Sequence, residues 1–411
     1  MGPQPGFEPG PFRDGVCVGR AFPWVLLALA VVPFGLGAQT LAERCGEAVT
    51  DALPEPPGRW LPWSQDSFAG RDPVPAYDPV LRRLTEFAEP FQLASVLAPP
   101  PGVEVRPHRV IWGEGPPELG PPLPRSTLLI QLFHPTVQQA GEASATIEVL
   151  LNTLFPLMYG TGQPIAQDAT GPIFLAPERV GDLGGAPVFW SGRPRDCLVV
   201  FQAHDRPLWT PVSRERFLEA LAGEVRHQLV EADHALREAL AESESDEAES
   251  DEADREMQEA IRQLRLIDPE AAAEMERQLN AMKLEIQRQK STLEQPENLA
   301  GSAVQNGLLE QVAKLEAELA AMTPGQRASP AYVAGMDASR LSLLSSEGAQ
   351  GSRLLVAPNT AYLDAEAPPE KIQLLVVELR SSANHAPEKN IIARLREDVD
   401  WAAFWDWVRE R

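Results

Sequence analysis

Short apolar runs separated by glycine and proline clusters fill residues 105–215. The runs are rich in β-branched and aromatic side chains, a pattern that predicts β-strands. The expected strands are 110–112, 127–133, 145–151, 173–175, 187–190 and 197–202. The sequence Gly-Arg-Pro-Arg-Asp between the last two runs predicts a turn and an antiparallel pair. This part of the chain therefore reads as an open or mixed sheet.

After Ser213 the apolar spacing changes to three and four residues, which predicts an amphipathic helix to about residue 240. Ser213 is the expected N-cap. The apolar stripe of this helix comprises Phe217, Leu218, Leu221, Val225, Leu229, Leu236 and Leu240. Such a stripe needs a partner surface.

The acidic, low-complexity run 242–254 follows, and we expect a solvated linker or a frayed helix there. Asp268-Pro269 predicts a break between two helices. Two heptad-like segments come next: Met275, Leu279, Met282, Ile286 and Leu293, then Leu308, Val312, Leu315, Leu319 and Met322. These segments predict two antiparallel helices packed as a hairpin, with a homodimeric coiled coil as the alternative.

Apolar runs at 353–357 and 372–377 predict two further strands, and Trp401, Phe404, Trp405 and Val408 lie on one face of a final helix, 398–410. A nearly all-apolar strand this late in the chain favours a return to the first sheet. The expected fold class is α+β: a mixed or antiparallel sheet, a long helical-hairpin or coiled-coil-like excursion, and a C-terminal strand and helix that return to the body.

The N-terminus resembles a secretory signal peptide. Arg20 precedes a short apolar run that ends in small residues near Ala38, and Pro33 interrupts the run. The run is too short to span a bilayer as a helix, so cleavage is favoured over anchoring, and a buried first helix is the alternative. The expected segments are a signal peptide (1–38), a proline-rich irregular segment (39–78), a β-rich body (79–212), a helical region (213–325) containing the acidic linker 242–254, and C-terminal strands with a docking helix (326–411).

The net charge of the chain limits the classes of partner that it can bind. The chain has 36 Lys and Arg against 59 Asp and Glu, a formal net charge of −23. Such a charge repels phosphate backbones and anionic lipid surfaces, so we expect neither nucleic-acid binding nor stable membrane insertion after signal cleavage. The predicted location is extracytoplasmic, either periplasmic or secreted.

The chain has three cysteines, and in an extracytoplasmic compartment those that remain after signal cleavage could form a disulfide. Cys17 lies in the segment expected to be removed, which leaves Cys45 and Cys197 in a compartment where disulfides persist. The two residues could pair, and two separate buried thiols are the alternative.

One stripe of the first helix carries candidate metal ligands. His227, Glu231 and His234 recur at separations of four and three and could together bind a divalent transition metal. The stripe lies opposite the leucine face, where a solvated charged surface is the simpler interpretation. We expect no cofactor.

The sequence lacks a Gly-x-Ser-x-Gly elbow, a Ser-x-x-Lys pair and a phosphate-binding glycine-rich loop with lysine. The pattern favours a non-catalytic exported protein that contacts a protein partner, or a second copy of itself, through its helical region. The alternative is a secreted hydrolase or carbohydrate-binding enzyme with a site in the β-rich body around Trp190 to Trp209, where tryptophans could stack on sugars.

Overall fold

The computed structural model describes residues 58–68, 75–114, 116–121, 123–133, 145–160, 162–192, 196–293, 300–334, 344–381 and 386–409. The predicted signal peptide 1–38 and Cys45 lie outside the described residues, as does much of the segment 39–78.

Fifteen strands and nine α-helices lie in the described part of the chain. The strands are β1 (Arg59–Trp60), β2 (Ser67–Phe68), β3 (Glu104–Glu114), β4 (Pro124–Phe133), β5 (Ala145–Leu151), β6 (Ala166–Asp168), β7 (Gly171–Leu175), β8 (Glu178–Leu183), β9 (Ala186–Trp190), β10 (Cys197–Gln202), β11 (Trp209–Pro211), β12 (Tyr332–Ala334), β13 (Leu344–Ser345), β14 (Ser352–Pro358) and β15 (Leu374–Ser381). The helices are α1 (Asp78–Glu86), α2 (Glu89–Leu93), α3 (Phe155–Tyr159), α4 (Arg214–Ile267), α5 (Pro269–Leu293), α6 (Ala300–Ala321), α7 (Pro324–Ala328), α8 (Ala386–Asp398) and α9 (Ala403–Arg409).

Nine strands form the larger sheet, in the order β1-β3-β4-β5-β15-β10-β9-β8, with β2 also paired to β3. The pairs are antiparallel except for β1 and β2 on β3. β15 lies between β5 and β10, so the late apolar strand does return to the first sheet. β9 and β10 form the predicted antiparallel pair. The fold is α+β, as predicted.

Side chains alternate between the two faces of this sheet, because successive residues of a strand point in opposite directions. One face packs against α1, α2, α8 and α9, where Phe404 and Phe91 are fully buried. The opposite face of β10 and β15 packs against the second sheet through Leu198, Val376 and Phe174. The strands at the β3–β5 end present polar side chains on that second face.

The second sheet has six strands, in the order β13-β12-β14-β7-β6, with β11 paired to β14. Its outer face packs against the first turns of α4 through Ile173, Leu355 and Phe217. Ser213 is the N-cap of α4, and its side chain accepts a hydrogen bond from the Arg216 amide. The helical excursion therefore starts on a well-packed base.

The excursion leaves and re-enters the body at one place, since Ser213 and Pro330 form a β-bridge. α4 has 54 residues, which at ~1.5 Å per residue gives a helix roughly 80 Å long. It does not end before the acidic run 242–254, as a linker would require, because the backbone is helical throughout. Glu and Ala are strong helix formers, and the helices on either side supply the nucleus.

α5 and α6 both pack mainly against α4, whereas the sequence pattern suggested that they pair with each other. Near the body, Leu315 of α6 is buried against Leu218 and Val225 of α4. Farther out, α5 turns back at Asp268 and lies along the end of α4. The excursion is thus a hairpin with one long arm and a return arm made of two helices. None of the helices in the described residues combines the length and apolar character needed to cross a membrane.

Candidate functional site

The outer end of the excursion, residues 255–293, is called the distal hairpin here. Asp268 ends α4, and its carboxylate accepts hydrogen bonds from the amides of Glu270 and Ala271, which caps α5. Ile261 and Ala272 are buried where the two helices meet. An ion pair between Arg265 and Glu276 also joins the arms. The turn is therefore fixed by packing and capping.

Beyond this small contact the distal hairpin exposes apolar side chains. Leu266 and Ile267, adjacent at the end of α4, are 87% and 83% exposed. On α5, Met282 is 60% and Leu284 is 52% exposed. Met282 belongs to the heptad-like stripe that was expected to face a partner helix, yet α4 leaves most of it uncovered. The adjacent pair Leu266 and Ile267 is called the distal apolar surface.

Charge on the distal hairpin differs from charge on the rest of the chain. Residues 255–293 contain seven basic and seven acidic side chains, whereas the whole chain carries −23. The neighbouring run 242–254 contributes eight carboxylates and no basic residue. The distal apolar surface therefore lies on a charge-balanced segment beyond a strongly acidic one.

The predicted metal ligands do not converge. His227 and His234 are 74% and 72% exposed on α4, and each imidazole faces a glutamate one turn later: Glu231 at 3.8 Å and Glu238 at 3.4 Å. No group of three or more potential ligands that could hold a metal occurs within the described residues. The positions of His227, Glu231 and His234 fit a solvated helix face, and metal binding by them stays a prediction.

Cys197 lies at the start of β10, is 1% exposed and is disulfide-bonded. The other two cysteines of the chain, Cys17 and Cys45, lie outside the described residues. The pairing of Cys45 with Cys197 therefore stays a prediction. A disulfide-bonded Cys197 has no free thiol that could act as a nucleophile.

The region from Trp190 to Trp209 borders a shallow groove between β10 and the C-terminal helix α9. His204, Trp209, Trp405 and Arg409 contribute to its lining. Asp205 is the one carboxylate among the lining residues, and hydrolysis of a glycosidic bond by the usual mechanism needs two. Trp209 packs edge-on against Phe189, with ring centroids 5.5 Å apart. The groove is a weaker candidate than a second concave site on the same sheet.

That second site, called the sheet cleft, lies on the uncovered polar face of β3, β4, β5 and β15 and encloses about 470 Å³. α3 closes one end, where Phe155 stacks on Tyr159 with ring centroids 5.0 Å apart. Burial and a hydrogen bond to Glu118 raise the pKa of Tyr159 to about 12, so its hydroxyl stays protonated. Trp112, which is 42% exposed, donates its indole N–H to Thr127 at 3.1 Å.

The other end of the sheet cleft is acidic. Glu148 and Glu378 lie directly opposite each other on β5 and β15. Arg380 lies beside both: its guanidinium is 2.8 Å from Glu378, 3.9 Å from Glu148 and 3.8 Å from Asp196. Burial opposes the charge on Arg380, but these three carboxylates outweigh burial and raise its pKa.

Sequence reasoning missed the sheet cleft, because its residues come from strands far apart in the chain. One signal was present: the apolar run Leu-Leu-Val-Val is followed by Glu378 and Arg380, two charged residues separated by a single leucine. In a strand buried on one face, such a pair marks the place where the other face carries polar groups.

No protein-family model, curated protein or solved structure matches this chain.

Proposed function

We propose that this is a non-catalytic exported protein that associates with a second copy of itself through the distal apolar surface. The observation that carries the proposal is the exposure of Leu266 and Ile267 at the end of a long helical projection. The apolar surface of these two adjacent side chains is removed from water only when another molecule covers it. Burying one such side chain is favourable by roughly 1.5–3 kcal/mol.

Charge favours a second copy as the occupant. Two like chains of −23 repel each other, and the acidic run 242–254 makes most of the projection unsuitable for self-contact. The distal hairpin, with seven charges of each sign, escapes this repulsion. A two-fold contact there would place basic residues of one copy beside acidic residues of the other.

Export is supported by two independent features. The N-terminal sequence around Arg20 has the order of a secretory signal: positive charge, apolar run and small residues. Cys197 takes part in a disulfide, and such bonds persist in oxidising compartments.

The test is the solution mass of the chain beginning at Gln39, measured by light scattering at several concentrations. We expect a dimer for the wild type. Replacing both exposed residues, Leu266→Ser with Ile267→Ser, should weaken association by on the order of a hundredfold or more, because each copy loses two buried apolar side chains.

Val230→Ser is the matched control. Val230 is an equally conspicuous apolar residue on α4, 67% exposed, but it lies on the body side of the acidic run. The control should stay dimeric. A wild type that is monomeric throughout, or a dimer that survives the double substitution, overturns self-association through the distal apolar surface. A monomeric wild type would direct attention to a different protein as the partner.

A further inference from the structure

Arg125 in the sheet cleft lacks the partner that comparable arginines of this fold have. Arg109 is about three-quarters buried and donates two hydrogen bonds to Asp66. Arg216 is buried to a similar extent and binds Asp168 in the same way. Within the described residues, none of the carboxylates forms an ion pair with Arg125, and its Nε is buried with no hydrogen-bond partner.

The guanidinium of Arg125 packs against an aromatic ring instead of a carboxylate. It lies over the ring of Phe155, 5.1 Å from the centroid. Burial lowers the pKa of Arg125, but an arginine remains charged at neutral pH. Since Arg125 lines the sheet cleft, a ligand in the cleft would bind the terminal nitrogens of this charged group, beyond the buried Nε.

A carboxylate is the anion that suits these terminal nitrogens. A guanidinium donates two parallel hydrogen bonds to a planar carboxylate, and the opposite charges strengthen both bonds. A phosphate dianion would be repelled more strongly than a carboxylate, because the whole chain carries −23. The charge of the chain therefore favours a ligand with a single negative charge.

The acidic residues of the sheet cleft lie at some distance from Arg125. Glu148 pairs with Leu129 across β4 and β5, and Leu150 pairs with Thr127. Arg125 lies two residues before Thr127 and four before Leu129 on β4. Four residues of strand correspond to roughly 13 Å between backbone positions. The row formed by Thr127 and Leu150 therefore separates the Arg125 end of the cleft from the glutamates.

The space beside Arg125 is apolar and aromatic. Phe155, Trp112 and Leu150 line it together with Tyr159. Phe155 and Trp112 are among the large apolar side chains that the fold leaves exposed. An apolar group of a ligand would remove part of this surface from water, which favours binding.

We propose that the sheet cleft binds a small organic monocarboxylate with an apolar or aromatic body, held by its carboxylate on the terminal nitrogens of Arg125. The body of the ligand lies against Phe155, Trp112 and Leu150. The volume of about 470 Å³ suits a ligand of this kind. This site goes beyond self-association and is independent of the helical projection.

Titration calorimetry at neutral pH and low salt tests the proposal with three probes: phenylpropionate, its neutral amide, and propionate. The protein is the whole chain beginning at Gln39. We expect phenylpropionate to bind. The amide should bind roughly tenfold to a hundredfold more weakly because it loses the charge-assisted contact, and propionate should bind weakly to a similar extent because it lacks the ring.

Substitution of Arg125 assigns the carboxylate to its place in the cleft. Arg125→Leu should weaken phenylpropionate and abolish the difference between the acid and its amide. Arg125→Gln serves as a second variant should the leucine disturb the fold, which circular dichroism checks. Arg106→Leu is the matched control, because Arg106 lies in the same sheet, with its guanidinium 4.8 Å from the Phe133 centroid, but does not line the sheet cleft.

Three results would overturn the proposal: no binding of phenylpropionate up to millimolar concentration, an acid–amide difference that persists in folded Arg125→Leu, or an equal loss of affinity in Arg106→Leu. An amide that binds as tightly as the acid would also contradict it, and would favour a neutral ligand. Propionate that binds as tightly as phenylpropionate would contradict the apolar part of the site.

Discussion

The β-sheet body and the distal hairpin differ in how far their apolar and charged side chains are buried. In the body, Phe404 is fully buried among five aromatic rings, and Arg109 and Arg216 are paired with aspartates. In the distal hairpin, Leu266 and Ile267 are mostly in solvent, and ion pairs such as Arg262–Glu259 join exposed groups. The body is stabilised by its own packing, whereas the hairpin relies on its helical backbone and leaves these apolar side chains exposed.

The largest test of this contrast compares one substitution in each region. Phe404→Ala should lower the free energy of unfolding by about 3–5 kcal/mol, since it opens a cavity among Phe87, Phe91 and Phe201. Leu266→Ala should change it by less than about 0.5 kcal/mol when measured on monomers. Urea denaturation followed by tryptophan fluorescence measures both. Equal losses in the two variants would mean that the hairpin tip is packed, which would remove the contrast.

A second test concerns the disulfide that Cys197 forms in the body. Cys197→Ala should cost about 2–4 kcal/mol, because the bond that constrains the unfolded chain is lost. Peptide mapping of the non-reduced protein should recover Cys197 linked to the peptide that contains Cys45. Adding reductant to the wild type is the control and should reproduce most of the loss. Recovery of Cys197 as a free thiol would contradict the disulfide.

Much of the body was predictable, because its longer strands are apolar runs rich in β-branched and aromatic residues between glycine and proline clusters. β5 and β10 occupy the predicted ranges 145–151 and 197–202, and the apolar run that became β15 was correctly expected to return to the first sheet. The second sheet was not anticipated as a separate layer. Its strands are mostly short: β6 and β12 have three residues and β13 has two. So few residues carry almost no periodic signal.

The helical region was predicted in outline but not in its pairing. Heptad spacing in α5 and α6 shows that each needs a partner, and says nothing about which helix supplies it. The charge density at 242–254 predicts a solvated linker or a frayed helix, but the helix propensity of Glu and Ala keeps the backbone helical. The sheet cleft is beyond sequence reasoning for another reason: Arg125 and Arg380 line one cleft only because β4, β5 and β15 are neighbours in the sheet.

A third test lies at the joint between the body and the projection, where Arg216 in the first turn of α4 pairs with Asp168 of β6 at 2.7 Å. Burial alone would raise the pKa of Asp168, but hydrogen bonds from Arg216 and Thr170 lower it to about 2. A carboxyl whose folded pKa lies below its unfolded value stabilises the fold above the unfolded pKa. That contribution is lost as the pH falls from about 5 towards 2.

Stability should therefore fall by roughly 1–2 kcal/mol over that window on account of this group, a figure reduced for the one-fifth of Asp168 that is exposed. Asp168→Asn should be less stable at pH 7 and show a flatter dependence on pH below 5. Asp182→Asn is the control, because its partner Arg179 is more than half exposed. Parallel pH profiles for wild type and Asp168→Asn would show that this pair does not hold the projection to the body.

The smallest expected effect is a gain in stability, and it separates an arginine that is paired with a carboxylate from one whose buried Nε has no hydrogen-bond partner. Arg125→Leu removes a buried Nε that has no hydrogen-bond partner, so we expect the free energy of unfolding to rise by up to about 1 kcal/mol. Arg109→Leu is the comparison, since it would leave Asp66 without its partner and should lower stability. Urea denaturation of both variants gives the answer. If both substitutions destabilise the fold to the same extent, Arg125 stabilises the body as Arg109 does, in spite of its missing hydrogen bond.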